Sequence, residues 1–165
     1  DVPVLKRLYQ AWQKNQNKKV LYWNQYILAS RDSFEFHEED RQLGKSLSRL
    51  LVELGLEEVK TFFFESEISF LTSYSLAAVS WNIPLEVVAN GLLWMWAENQ
   101  VLVAIKTVPL GQTDGQKILS RMIEVIPNTV KRGLALVDQE IGYTAPAHGI
   151  AGALHETQYS RLFRS

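Results

Sequence analysis

Leucines stand at positions 43, 47, 50, 51 and 54, and Gly55 follows them directly. Steps of four and three return side chains to one side of a helix of 3.6 residues per turn, whereas a strand would scatter them over both faces. A glycine placed there suits the left-handed residue that closes many helices. The same spacing recurs at Leu5, Leu8, Tyr9 and Trp12, and again at Ile68, Leu71, Tyr74, Ala78 and Trp81. It predicts helices over Val2–Trp12 and about Glu67–Trp81. Asn82 and Pro84 then mark a stop and a new start, since proline suits a helix's first turn and disfavours helical geometry before it. The next helix is expected from Pro84 to about Val108. Pro109, Gly111, Asp114 and Gly115 break the pattern before a helical stretch from Gln116 to Glu124. Pro127-Asn128-Thr129 opens one more helix, to about Glu140, and Gly142 with Pro146 leads into a last short one. Only Lys60–Phe64 has strand character. With no internal repeat, low-complexity tract or linker, the expectation is an all-α, single-domain multi-helix bundle.

A chain of 165 residues, 47% of them hydrophobic, can bury one sizeable core. Seventeen basic residues against eighteen acidic ones give a formal net charge of -1, so no overall field favours nucleic acid. Charge is uneven. Asp32, Glu35, Glu38, Glu39 and Asp40 form an acidic run, which reads as solvated helix surface near a helix start, where the macrodipole favours negative charge. The absence of cysteine excludes disulfides, thiolate metal sites and cysteine nucleophiles, and it fits a cytoplasmic protein. The most apolar region, Val87–Val108, is interrupted by Asn90, Glu98, Asn99, Gln100 and Lys106, and so reads as a buried helix rather than a membrane span. Trp94 and Trp96, close to Leu92, Leu93 and Met95, are expected mostly in the core.

Tests for chemistry fail on spacing. Between Gly111 and Gly115 lie three residues where a phosphate-binding loop has four; Gln116 then intervenes before Lys117, and Ile118 replaces the hydroxyl residue. His155-Glu156 and His37-Glu38 open like a zinc-protease helix. Tyr159 and Arg41, however, occupy the places of the second histidine. No G-x-S-x-G elbow is present, and the serines have no evident His and acid partners. Lys106 sits one turn before Pro109, where a lysine favours the helix dipole without needing a partner. The residues themselves favour a noncatalytic protein with no tightly bound cofactor.

The final string, His155-Glu-Thr-Gln-Tyr-Ser-Arg-Leu-Phe-Arg-Ser165, mixes aromatic and Arg side chains of the kind enriched at binding hot spots. It closely resembles the terminus of the UreF family of urease accessory proteins. Three internal stretches resemble that family in the same order: Trp23-Asn24 through Ala29-Ser30-Arg31, then Glu39-Asp40-Arg41-Gln42-Leu43-Gly44, then Val108-Pro109-Leu110-Gly111-Gln112 with Gly115-Gln116. The resemblance implies a cytoplasmic scaffold that assembles with UreD, called UreH in some systems, and recruits or regulates the GTPase UreG. Nickel would be handled by the complex on its way to apo-urease, and a homodimer is a further possibility. It also implies a helical domain over 1–154, lacking an opening section that family members carry, and a partner-binding tail over 155–165. Contacts to UreD are expected at His155, Glu156, Gln158, Tyr159, Arg161, Leu162, Phe163 and Arg164, and contacts to UreG at Lys106, Pro109, Gly111 and Gln112. Two rival readings are a helical nickel-binding carrier and a hydrolase using carboxylates of the acidic run.

Overall fold

The computed structural model describes residues 1–63, 67–108, 110–142 and 146–159, the side chains of 61–63 and 148 excepted. Its α-helices are α1 (Val2–Gln13), α2 (Asn17–Ala29), α3 (Phe34–Glu53), α4 (Glu58–Phe63), α5 (Phe70–Ser80), α6 (Leu85–Thr107), α7 (Gln112–Ala135) and α8 (Pro146–Glu156), with a 3-10 turn at Asp138–Glu140. Among the described residues there is no strand, so the fold is all-α, as the periodicity predicts.

Helix α1 lies at the centre, packed against α2, α5, α6 and α7. Pro3 occupies its first turn, where the missing N–H costs nothing, and Val4, Leu5, Leu8, Ala11 and Trp12 form its buried stripe. Trp12 donates its indole N–H to Ser75 Oγ at 3.1 Å, and Tyr9 donates its hydroxyl to the Ile83 carbonyl at 2.8 Å. Helix α5 is buried around most of its circumference, with Thr72, Ser73 and Ser75 inside beside Leu71, Leu76, Ala77 and Ala78. Those hydroxyls are satisfied locally: Ser48 and Ser73 share a 2.6 Å hydrogen bond, and Ser75 donates to the Thr72 carbonyl.

Several boundaries differ from the sequence expectation. Gly55 does close α3, at φ +91°, with Gly55 N–H bonded to Val52 O and Leu56 N–H to Leu51 O. That turn feeds α4, where strand character was expected over Lys60–Phe64; the buried Val59 anchors a single short helix instead. Helix α5 starts at Phe70 rather than near Glu67, because Ser69 caps it by accepting the Thr72 N–H at 3.1 Å. The two helices expected on either side of Pro127 are one continuous α7, beginning at Gln112. Leu119, Ile126 and Val130 are buried along one stripe, and this packing on both sides of Pro127 outweighs one lost backbone hydrogen bond. Pro127 itself is exposed, so Pro127→Ala should stabilise the chain by about 1–3 kcal/mol in thermal or urea unfolding. A destabilised variant would show that the proline serves a packing role.

The inner face of α3 also differs. Asp40, Gly44, Ser48 and Leu51 are its buried residues, while Leu43, Leu50 and Leu54 are about half exposed. The run reads as apolar-in and acidic-out; the packing against α5 takes the small and polar side. Trp96 is a further correction, being 60% exposed, whereas Trp94 packs partly buried against the core. Helix α6 changes neighbours along its length. Val88, Ala89 and Leu92 enter the main core, while Val101, farther along, faces Gly115 of α7, which leaves Trp96 outside both contacts.

Candidate functional site

The turn between α6 and α7 carries one set of the expected contact residues. Lys106 is exposed in the last turn of α6, with no ion pair among the described residues. Val108 is extended and 56% exposed, Gly111 caps α7 through an extended backbone, and Gln112 opens the helix, exposed like Gly111. Pro109 lies outside the described residues. Gly115 explains why this turn is tight: a Cβ there would come within 2.7 Å of Ile105 Cδ1 and 3.2 Å of Val101 Cγ1. Exposed Leu102, Val103 and Ile118 stand on the same two helices. The turn therefore offers a cation among apolar side chains.

The second set begins in α8. His155 and Glu156 belong to that helix and are half-buried, so the domain boundary expected after residue 154 falls inside a helix. His155 Nδ1 lies 2.6 Å from Glu35 Oε2, and Glu156 Oε1 accepts the backbone N–H of Glu35 at 3.1 Å. Gln158 is exposed and Tyr159 completely so. Arg161, Leu162, Phe163 and Arg164 lie outside the described residues. Sequence reading missed Glu35 as the seat of His155; Gly149 and Gly152, three residues apart in a helix, were the available signal of a close helix crossing.

Two of the three internal motifs converge on the start of α5. Asn24 donates to the Glu67 carbonyl at 2.7 Å and accepts the Ser69 N–H at 2.9 Å and the Thr72 hydroxyl at 2.8 Å. Asp40, only 5% exposed, accepts Arg31 Nε–H at 2.8 Å and the Phe70 N–H at 2.7 Å. Asp40 is thus not solvated helix surface. It caps α5 from a neighbouring helix and is charge-balanced by Arg31. Gly44 completes the junction by admitting the backbone of residues 68–70. Elsewhere in the acidic run, Arg41 hydrogen-bonds Glu38, and that bond holds the Glu38 carboxyl below its ordinary range. Among the described residues no group of three or more His, Asp and Glu side chains is arranged to hold a metal ion. No described helix is long and apolar enough to cross a membrane.

The motif residues thus build a helix junction at the start of α5, an exposed turn between α6 and α7, and the last turn of α8. The sequence model of the UreF family matches residues 1–123. Urease accessory protein UreF of Alkalilimnicola ehrlichii is 48% identical over all 165 residues, which cover 72% of that protein. UreF of Hahella chejuensis is 43% identical and UreF 2 of Brucella anthropi 42%, each across the whole chain and covering 74% and 73% of the relative. The chain belongs to the UreF family of urease accessory proteins.

Proposed function

We propose that this chain is a noncatalytic scaffold of urease maturation in the cytoplasm. Its C-terminal segment docks on UreD (UreH), and its Lys106–Gln112 turn receives the GTPase UreG. Nickel passes through the assembled complex to apo-urease rather than residing on this chain. The observation that carries the reading is the placement of the family-like residues: Tyr159 is fully exposed past the end of α8, and Lys106 is an exposed lysine beside Val103 and Val108. An exposed aromatic followed by Arg161, Leu162, Phe163 and Arg164 has the composition of a docking segment, in which a few aromatic and Arg contacts carry most of the energy.

The test is copurification with UreD and UreG. Deleting Thr157–Ser165 should abolish capture of UreD while helical content by circular dichroism stays the same. Lys106→Ala should keep UreD and weaken UreG recruitment roughly tenfold, as loss of an interfacial charge does. Undiminished UreD capture by the truncated chain would overturn the tail assignment, and unchanged UreG affinity would overturn the turn assignment.

A further inference from the structure

The C-cap residue of α7, Leu136, is extended at φ -61° and ψ 136°, so no left-handed turn closes the helix and its last carbonyls take donors from outside. Two successive cations of α1 supply them. Lys6 Nζ donates to the Leu134 carbonyl and Arg7 Nη2 to the Leu136 carbonyl, each at 2.7 Å. Positive charge at a helix C-terminus also complements the macrodipole, so both contacts favour one arrangement.

Arg7 reaches further than Lys6. Its guanidinium also donates to the Pro3 carbonyl at 3.1 Å and to Asp138 Oδ1 at 2.9 and 2.7 Å, and it lies over the Trp23 ring of α2, 5.9 Å from the centroid. Only 11% of the Arg7 side chain is exposed, against 66% of Asp138. One nearly buried fork therefore joins α1, α2 and the chain that leaves α7. Apolar burial holds that chain only weakly. From Leu134 to Gly142 no residue is buried: Leu134, Leu136 and Ile141 are half-buried and the others exposed.

We propose that residues 134–142 form a strap that opens from the folded bundle as a unit, and that Arg7 is the latch that holds it closed. The strap has internal structure of its own, since Glu140 Oε2 accepts the Val137 N–H at 2.9 Å and the Ile141 N–H bonds the Asp138 carbonyl at 3.3 Å. It therefore moves in one piece. Opening exposes little apolar surface and breaks chiefly the polar bonds to Lys6 and Arg7, whereas the core around Leu5, Leu8 and Trp12 stays closed. Arg7 is a positioning residue: it sets the path of the chain after α7. The strap holds independently of the UreD and UreG contacts proposed above.

Native-state hydrogen exchange of the 165-residue chain in low, rising urea tests it. The Ala135 and Ile141 amides should exchange through an opening that urea hardly promotes, because urea dependence follows the surface exposed, whereas the Leu8 and Trp12 amides exchange through one that urea promotes steeply. Arg7→Met keeps an aliphatic side chain over Trp23 but no donor. It should speed exchange at Ala135 and Ile141 about tenfold, and leave Ala104 and Ile105 at the far end of α6 unchanged. Asp138→Asn, altered on the exposed side of the latch where folding is not at risk, should speed the same two amides about threefold. A urea dependence at Ala135 and Ile141 as steep as that of Leu8 would overturn the strap. Strap rates unchanged in both variants would overturn the latch.

Discussion

Gly44→Ala should destabilise the chain by about 3 kcal/mol or more, enough to abolish a cooperative transition in a marginal domain. Helix propensity alone says the reverse, because alanine in a helix interior is favoured over glycine by about 1 kcal/mol. The tertiary contact decides the sign. A Cβ at Gly44 would stand 2.0 Å from Ile68 O, 2.6 Å from Ser69 C and 2.8 Å from Phe70 N. All three are backbone atoms, so no rotamer change relieves the overlap and α3 has to move off α5. That movement also strains the Asp40 bond to Phe70 N–H and the Ser48–Ser73 pair. Gly55→Ala is the comparison. Nothing lies within 4 Å of its added carbon, and its cost comes from φ +91° alone, about 1 kcal/mol. Urea unfolding of the two variants side by side checks the ranking, and equal stabilities would show that the close approach at Gly44 is not rigid.

Removal of the Asp40 carboxylate should have the next largest effect: Asp40→Ala is expected to cost about 2–4 kcal/mol. Breaking a buried ion pair by deleting one partner leaves the other uncompensated, typically at 3–5 kcal/mol. Arg31 keeps 24% of its side chain in solvent and a second ion pair to Asp1 at 3.1 Å, which lower that figure, while the loss of the cap on Phe70 N–H raises it. Asp40→Asn, able to accept the Phe70 N–H without balancing Arg31, should cost about half as much. If Asp40 were ordinary helix surface, its replacement would change stability by no more than about 0.5 kcal/mol. Thermal and urea unfolding therefore distinguish a structural carboxylate from a solvated one. Activation of urease in cells should fall with Asp40→Ala only as far as the folded fraction does.

Much of the architecture was legible because its causes are local. Apolar spacing, the proline at 84 and the glycine at 55 act within a turn or two of chain, and the helices they mark are present. Pro127 misled for the opposite reason: its effect is local, but the burial of Leu119, Ile126 and Val130 that overrides it is not. The resemblance that runs through Trp23–Arg31 and Glu39–Gly44 was visible as a string of letters. Its physical basis, a junction of Asn24, Arg31, Asp40 and Gly44 around residues 67–70, joins positions up to about 45 apart in sequence. The proposed contact residues divide similarly. Lys106 and Tyr159 stand exposed where an unpaired polar or aromatic side chain is read easily, whereas the seat of His155 on Glu35 spans 120 residues.

The sequence by itself determined the all-α class, most of the helices and the family to which the chain belongs, since periodicity, capping and motif order are properties of neighbouring letters; α2, α4 and the continuity of α7 were not read from it. In α1 the buried stripe follows the spacing, but only the tertiary structure decided which face of α3 is inside. In α3 the side bearing Asp40, Gly44 and Ser48 is buried and Leu43, Leu50 and Leu54 are left half exposed. A glycine with no side chain lets another backbone approach, and a carboxylate can be buried once an arginine and a helix N-terminus from distant segments meet it. Neither condition is written within one turn of the chain.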